Sequence, residues 1–313
     1  KVSLPKNDGL TIREMLNKAH EGEIKALFVM GTDVLMSEPD TKRVKKALKN
    51  LDLLVVLDIF MSNTAQYADV LLPAACFAEK DGTFTNIERR VQRVRKTTSP
   101  PGKAKADWKI ITELANQMGY PMDYQSPEAI WEEIRIVSPN FAGINYQRIE
   151  NVGIQWPCPD MKHQGTKFLY DEKFPHGKAS FSLTEREPFL EKTSTNFPFI
   201  LSTGRTLYHF NTGSMTRRAS GSTQKQPYAF VEISQDDADV ASIKNGDMVR
   251  VSTKRGEISL YAKITSRVVS KQIWIPFHFL SAPVNLLTNA SVSKDDFGFM
   301  PAYKACAAKI EKL

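Results

Sequence analysis

IKALFVMG (residues 24–31) and LDLLVVLD (51–58) are short, unbroken apolar runs bounded by polar residues, and the reading of this pair decides the fold. Strict alternation would mark a half-buried strand, whereas continuous runs of this length fit strands buried on both faces of a parallel sheet. Between them, SEPDTKRVKKALKN (37–50) has helical periodicity, with Ser37 and Asp40 at capping-box spacing and Pro39 near the first turn. Strand, helix and strand make a βαβ unit. A third run, ADVLLP (68–73), extends the sheet, and KADWKIITELANQMG (105–119) sets Trp108, Ile111, Leu114 and Met118 at helical spacing before Gly119. The first domain is therefore expected to be α/β, built on an open parallel sheet of Rossmann-like type.

Outward from this unit the pattern changes. In FAEKDGTFTNIERRVQRVRK (77–96), Asp81-Gly82 is a turn signal, and Phe84, Ile87, Val91 and Val94 stand among basic residues. Residues 140–185 are rich in Gly, Pro, Asn and aromatics, and TEREPFLEKTSTNFP (184–198) reads as a linker. This places one domain at 1–185 and a second at 186–313, whose first strand starts near Phe199. FILSTG (199–204), DMVRVST (247–253), GEISLYAKI (256–264), KQIWIPF (271–277) and CAAKIEK (306–312) are strand-like, while SQDDADVASIKNG (234–246) offers a helix capped by Ser234 and Asp237. The second domain is expected to be a small, mostly β barrel.

A chain of 313 residues with 42% apolar and 25% charged residues is that of a folded globular protein, and no apolar run approaches a membrane span. The N-terminal KVSLPKNDGLTIREML (1–16) has neither an apolar signal core nor an initiator methionine, which points to a cytoplasmic protein and a start inside a longer polypeptide. Cys76, Cys158 and Cys306 stand far apart, without a CxxC pair, and so offer no cluster or zinc site; Cys76 reads as core. A net charge of +7 suits an anionic partner. One basic cluster without an aromatic stacking platform does not make that partner a nucleic acid.

Two stretches carry candidate chemistry. In an open α/β sheet, ligands lie beyond the carboxyl ends of the strands, where VMGTDVLMSEPD (29–40) delivers Gly31 and Asp33 just before a helix and Asp58 closes the second strand. GxGxxG is absent, so nothing here points to NAD, and an ordinary β-to-α loop explains the stretch equally well. GRTLYHFNTGSMTRRASG (204–221) holds three arginines, a histidine and many hydroxyl and amide groups without one acid. Arg205 is placed to clamp a phosphate, with His209, Asn211, Thr212, Ser214 and Thr216 as further donors; a solvated basic loop is the plainer alternative. HExxH, GxSxG and P-loop patterns are missing, and of five histidines only His209 and His278 stand out.

LFVMGTDVLMSEPD (27–40), VVLDIFMSNTAQYADVLLPAACFAEKDGTFTNIERRVQRV (55–94), DWKIITELANQMGYPM (107–122), IQWPCPD (154–160), LSTGRTLYHFNTGSMTR (201–217) and NLLTN with PAYKACAAKIE (285–289, 301–311), in this order, resemble the C-terminal half of the molybdopterin oxidoreductases, and among them formate dehydrogenase catalytic subunits. The resemblance implies interconversion of formate and CO2 at molybdenum or tungsten held by bis-molybdopterin guanine dinucleotide. It implies a double-psi-type barrel for the last domain. The metal ligand, the 4Fe–4S cluster and the catalytic residues belong to the family's first half, so none is assigned here. Gly31, Asp33, Ser37, Asp58 and Asp69 fall where the family's α/β domain holds a guanine nucleotide. Gly204, Arg205, His209, Asn211 and Thr212, with Asn285, Tyr303 and Lys304, fall in pterin- and pyrophosphate-contacting motifs. Thr206 stands where some relatives have glutamate, and Leu57 where some have glutamine. Implied partners are the N-terminal half of the catalytic subunit, against which residues 72–100 pack, and an iron–sulfur electron-transfer subunit, with no membrane insertion and no nucleic acid. A non-catalytic scaffold and a nitrate- or arsenate-type reductase are the competing readings.

Overall fold

The structure is a computed structural model that describes residues 7–171, 173–181, 183, 191–291, 303 and 305–313. Helix α1 (Ile12–Glu21) starts on a reciprocal box, in which the Thr11 hydroxyl accepts from Glu14 N–H and the Glu14 carboxylate reaches back, and it ends where Gly22 turns left-handed. Strand β1 (Ala26–Met30) runs to a loop, then to the short α2 (Val34–Ser37) and α3 (Thr41–Lys49), and returns as β2 (Leu53–Asp58). β1 and β2 pair in parallel, from Ala26 opposite Leu53 to Met30 opposite Leu57, and β3 (Val70–Pro73) lies on the other side of β2.

α1 and α3 cover one sheet face, where Leu16, Ala19, Val44 and Leu48 pack on Val29, Leu54 and Val56. The other face differs from the expectation of two buried faces: Phe28, Met30 and Leu53 are 41–49% exposed. The sequence writes both faces apolar, and no layer among the described residues covers the second. The cap of α3 differs too. Asp40 alone holds the first turn, accepting from Arg43 N–H, while Ser37 belongs to the end of α2.

Residues 72–185 form a compact unit of their own. β4 (Gly82–Thr85) and β5 (Arg90–Val94) make an antiparallel hairpin, to which β6 (Ile154–Gln155) adds beside β5. The reversal is not at Asp81-Gly82. It falls at Asn86–Arg89, because the Asn86 side chain accepts from Glu88 and Arg90 N–H and Arg89 takes a left-handed φ of 65°. Helices α4 (Asp107–Gln117) and α5 (Pro127–Val137) complete the unit, and its core gathers Val91, Trp131, Ile144, Tyr146, Ile149 and Cys158. α4 occupies its expected span, yet Ile111, Leu114 and Met118 are exposed and only Ile110 is buried. Cys76 is half-buried at the start of a 3-10 turn.

Residues 1–71 and 186–313 group as the other unit. Its later part is a closed barrel of β7 (Phe199–Gly204), β8 (Phe230–Ile233), β9 (Met248–Ser252), β10 (Glu257–Ile264), β11 (Gln272–Pro276) and β12 (Cys306–Lys312), in the order β10-β8-β11-β7-β12-β9. α6 (Ser220–Lys225) follows β7, and α7 (Gln235–Val240) follows β8, capped by Ser234. Two pairs, β7/β11 and β8/β10, are parallel and the other four antiparallel. Leu201, Val231, Ile233, Val251, Leu260 and Ile273 fill the interior. The sheet groups with the barrel through polar staples: Asn285 Nδ2 donates to the carbonyls of Met36 and Ser37, and the Tyr303 hydroxyl donates to that of Ser37.

Candidate functional site

Because β7 and β11 are parallel, with Gly204 opposite Pro276, the segments that follow them leave the barrel from the same end and run side by side. Gly204 is required at the exit. A Cβ there would lie 2.6 Å from Trp274 Nε1 on β11. The loop after β7 is then fixed by His278, wholly buried on the neighbouring segment: Thr206 N–H donates to its Nε2 at 2.9 Å, so the proton sits on Nδ1, which donates to the Asn211 carbonyl. Burial, with repulsion from His209, Arg205 and Arg217, pushes the His278 pKa down.

His209 is a second buried imidazole spent on architecture. Its Nε2 donates to the Gln226 carbonyl at 2.9 Å, and its Nδ1 meets the Thr216 hydroxyl, which itself accepts from Phe210 N–H. Neither ring nitrogen is left to a ligand. Thr212 is buried with its hydroxyl on Ser214, and Asn211, exposed at φ 47°, makes the bend between them. Arg205 is different. Its guanidinium lies 5.7 Å from the Phe210 and Phe277 ring centres, is exposed, and has no ion pair among the described residues. Beside it, the buried Thr206 hydroxyl has no hydrogen-bond partner. Arg205 and Thr206 border a cavity of about 460 Å³ whose wall includes Trp274, Phe230 and Glu232, the last ion-paired with Lys263 and Arg267 of the same wall.

At the carboxyl end of the sheet, Gly31 (φ 63°) turns the chain away from β1 with open space where a side chain would stand. Asp33 is buried, and both of its oxygens are saturated: Oδ1 accepts from Thr64 N–H and hydroxyl, and Oδ2 from the Asn63 N–H and side-chain amide. It ties the loop after β1 to the loop after β2. Asp58 closes β2 by accepting from Ile59 N–H at 2.7 Å. Ser37 offers its carbonyl to Asn285 and Tyr303. Asp69 does not join them. Its carboxylate accepts from Leu54 N–H at 2.7 Å beside the start of β2, so it sits at the opposite end of the sheet from Asp33 and Asp58.

Asn285 is a buried staple and Tyr303 a half-buried one, the Tyr303 hydroxyl raised well above its ordinary pKa by burial first and by Glu38 second. Lys304 lies outside the described residues. The structure also brings forward two residues that were not singled out from the sequence. Arg218 lies 4.2 Å from the Phe60 ring centre, and Arg217 is within electrostatic reach of Asp33. Their signal was present in the acid-free run 204–221, but the run alone did not say which arginine faces the sheet.

Comparison with known proteins adds three kinds of finding. The family model described as molybdopterin oxidoreductase matches residues 2–117, and that described as molydopterin dinucleotide binding domain matches 199–307. Among curated relatives, the F420-dependent formate dehydrogenase subunit alpha of Methanocaldococcus jannaschii is 46% identical over 100% of this chain and 47% of its own length. The assimilatory nitrate reductase catalytic subunit of Bacillus subtilis is 37% identical over 96% and 44% respectively. The chain thus spans about half the length of the curated relatives it matches. Among solved structures, acetylene hydratase from Pelobacter acetylenicus superposes with a TM-score of 0.71 at 17% identity, over 96% of this chain and 46% of that one, a likeness of fold.

Proposed function

This chain belongs to the molybdopterin oxidoreductase family, and from that premise we propose that it is the dinucleotide-holding part of a formate dehydrogenase-type catalytic polypeptide. The observation that carries the reading is a loop built for an anion it does not itself contain. Arg205 lies 5.7 Å from two ring centres with no ion pair among the described residues, beside a buried hydroxyl without a partner, on a frame fixed by two buried imidazoles. A buried polar atom without a partner costs about 1–3 kcal/mol, a penalty a bound polar ligand relieves. These residues fit a molybdopterin guanine dinucleotide, which carries a pyrophosphate and many hydrogen-bonding edges.

In this reading Gly31, Asp58, Gly204, Arg205, Asn211 and Lys304 meet the cofactor. Asp33, His209, Thr212, Asn285 and Tyr303 position those that do, as their internal hydrogen bonds indicate. Asp69 acts at a distance, by fixing the start of β2. When bound in its bis form with molybdenum or tungsten, the group supplies two-electron chemistry between formate and CO2. The chain's own residues bind, orient and charge-match it, and none is a catalytic residue. Residues 1–185 and 186–313 serve as the two binding domains, of Rossmann-like and double-psi type. The parallel β1/β2 pair and the two parallel pairs inside a closed barrel support those labels.

The remaining half of the polypeptide brings the metal ligand and a 4Fe–4S cluster, and an iron–sulfur subunit takes the electrons. The uncovered apolar face of β1 and β2, and separately exposed Phe84, Ile87, Leu114 and Met118, support such packing. No helix among the described residues is long and apolar enough to cross a membrane, and the cytoplasm is the compartment proposed. A nitrate reductase is the second reading, favoured by the 37% identity to the Bacillus subtilis enzyme.

The test is acid denaturation of the protein purified from an anaerobic host, with dye reduction measured beforehand. Fluorescent pterin products and guanosine monophosphate in equal amounts, with formate and not nitrate driving dye turnover once the rest of the polypeptide is present, are expected. Protein that releases neither compound is a scaffold, and nitrate-driven turnover establishes the second reading.

A further inference from the structure

Arg255 stands in the turn between β9 and β10, and four segments distant in sequence meet on it. Its Nε donates to the Leu287 carbonyl at 2.7 Å, beside the Thr253 hydroxyl, which donates to the same oxygen at 3.1 Å and accepts from Arg255 N–H. Both lone pairs of that carbonyl are thereby used. The Arg255 carbonyl in turn accepts from Lys42 Nζ of α3 at 2.7 Å. Nη1 lies 2.8 Å from Glu191 Oε2, and the two side chains are only 16% and 8% exposed, so this is an ion pair withdrawn from water. The Cys306 thiol at the start of β12 is also within hydrogen-bonding reach of the guanidinium.

Leu287 belongs to the turn that reaches the sheet. Within it the Thr288 hydroxyl donates to Asn285 Oδ1 at 2.8 Å, which orients the amide so that Nδ2 donates to the carbonyls of Met36 and Ser37 on α2. Polar contacts and one tight turn therefore lead from Glu191 through Arg255 and Leu287 to Asn285 and α2. Glu191 lies in the segment that enters β7, and its carboxylate makes the only ion pair of Arg255 among the described residues. Removing one member of such a pair leaves the other as an uncompensated buried charge, which must move towards water. Arg255 can do so only by releasing the Leu287 carbonyl.

We propose that Glu191 and Arg255 are positioning residues for the sheet edge: their ion pair holds the 285–288 turn against α2, so that the edge is set only when the segment entering β7 is docked. Both act through Asn285 and not by contact with a ligand. The inference goes beyond the dinucleotide reading and rests on it only for the use to which the edge is put.

The experiment is amide hydrogen exchange on the cofactor-free full chain as wild type, Glu191→Gln, Asn285→Ala and the double variant, with GDP affinity measured by calorimetry on the same four. Glu191→Gln keeps the shape of the side chain and removes its charge. It should speed exchange at 36–38 and 286–287 about tenfold, leave β8 and β11 within about twofold, and weaken GDP several-fold. Because Glu191 acts through Asn285, the double variant should exchange at 36–38 no faster than Asn285→Ala alone; a pair that merely stabilises the barrel multiplies the two effects. Thermal unfolding shows which variants are folded, and if Glu191→Gln is not, Arg255→Lys, which keeps the charge and loses the bond from Nε to Leu287, takes its place in the cycle. Exchange at 36–38 within about twofold of wild type in the single variant, or multiplied effects in the double one, overturns the proposal. A wild-type chain that binds no GDP overturns the dinucleotide reading instead, and the exchange cycle still decides the coupling.

Discussion

A buried imidazole that accepts from Thr206 N–H and donates to the Asn211 carbonyl, with His209, Arg205 and Arg217 around it, holds its loop only while neutral. Its folded pKa lies below the ordinary histidine value of about 6.5, so below that pH the unfolded chain takes up a proton that the folded chain resists. The stability contributed by His278 is complete above about pH 6.5 and is lost as the pH falls towards the folded value. Melting curves from pH 8 to pH 5 should therefore be flat at first and then fall. His278→Gln should melt lower at pH 8 and flatten the acid slope, and an unchanged slope contradicts this role. At this scale the sequence was informative about residue type and silent about duty. His209 and His278 stood out in it, but only the structure shows all four ring nitrogens engaged within the protein.

Among elements, the exit of β7 has the tightest tolerance. Gly204→Ala puts a methyl group against three Trp274 ring atoms within 3 Å, where β7 and β11 are paired in register. A destabilisation of about 1–3 kcal/mol is expected, as for overpacking elsewhere. Adding Trp274→Leu should recover most of it, measured as the shift in denaturant midpoint; no recovery means that the glycine serves backbone freedom rather than close packing. Strands and long helices were legible because hydrophobic periodicity is local: β1, β2, α4 and the barrel runs lie where the sequence placed them. Caps and turns were less so. Ser37 and Asp81-Gly82 carried the right residue types, but Asp40 and Asn86 offered better-placed side-chain oxygens and won the backbone donors.

In the whole molecule, the candidate site is assembled from residues about 160 to 270 positions apart in the chain, joined by the Asn285 and Tyr303 staples on α2 and by Arg218 on Phe60. No local pattern carries such pairings. That is why Asp33 read as a ligand from its place beyond a strand yet proves to be saturated by its own chain, and why Asp69 falls at the far end of the sheet. The exposed apolar residues on the second face of β1 and β2 follow the same rule, since an apolar run in the sequence does not say what covers it, and among the described residues no layer does. The central claim is that one ligand engages the sheet edge and the β7 loop together. Amide hydrogen exchange on the cofactor-free chain, with and without saturating GDP, tests it most directly. Slowed exchange in both 31–37 and 204–218 is the result predicted; slowing in one segment alone, or in neither, contradicts it.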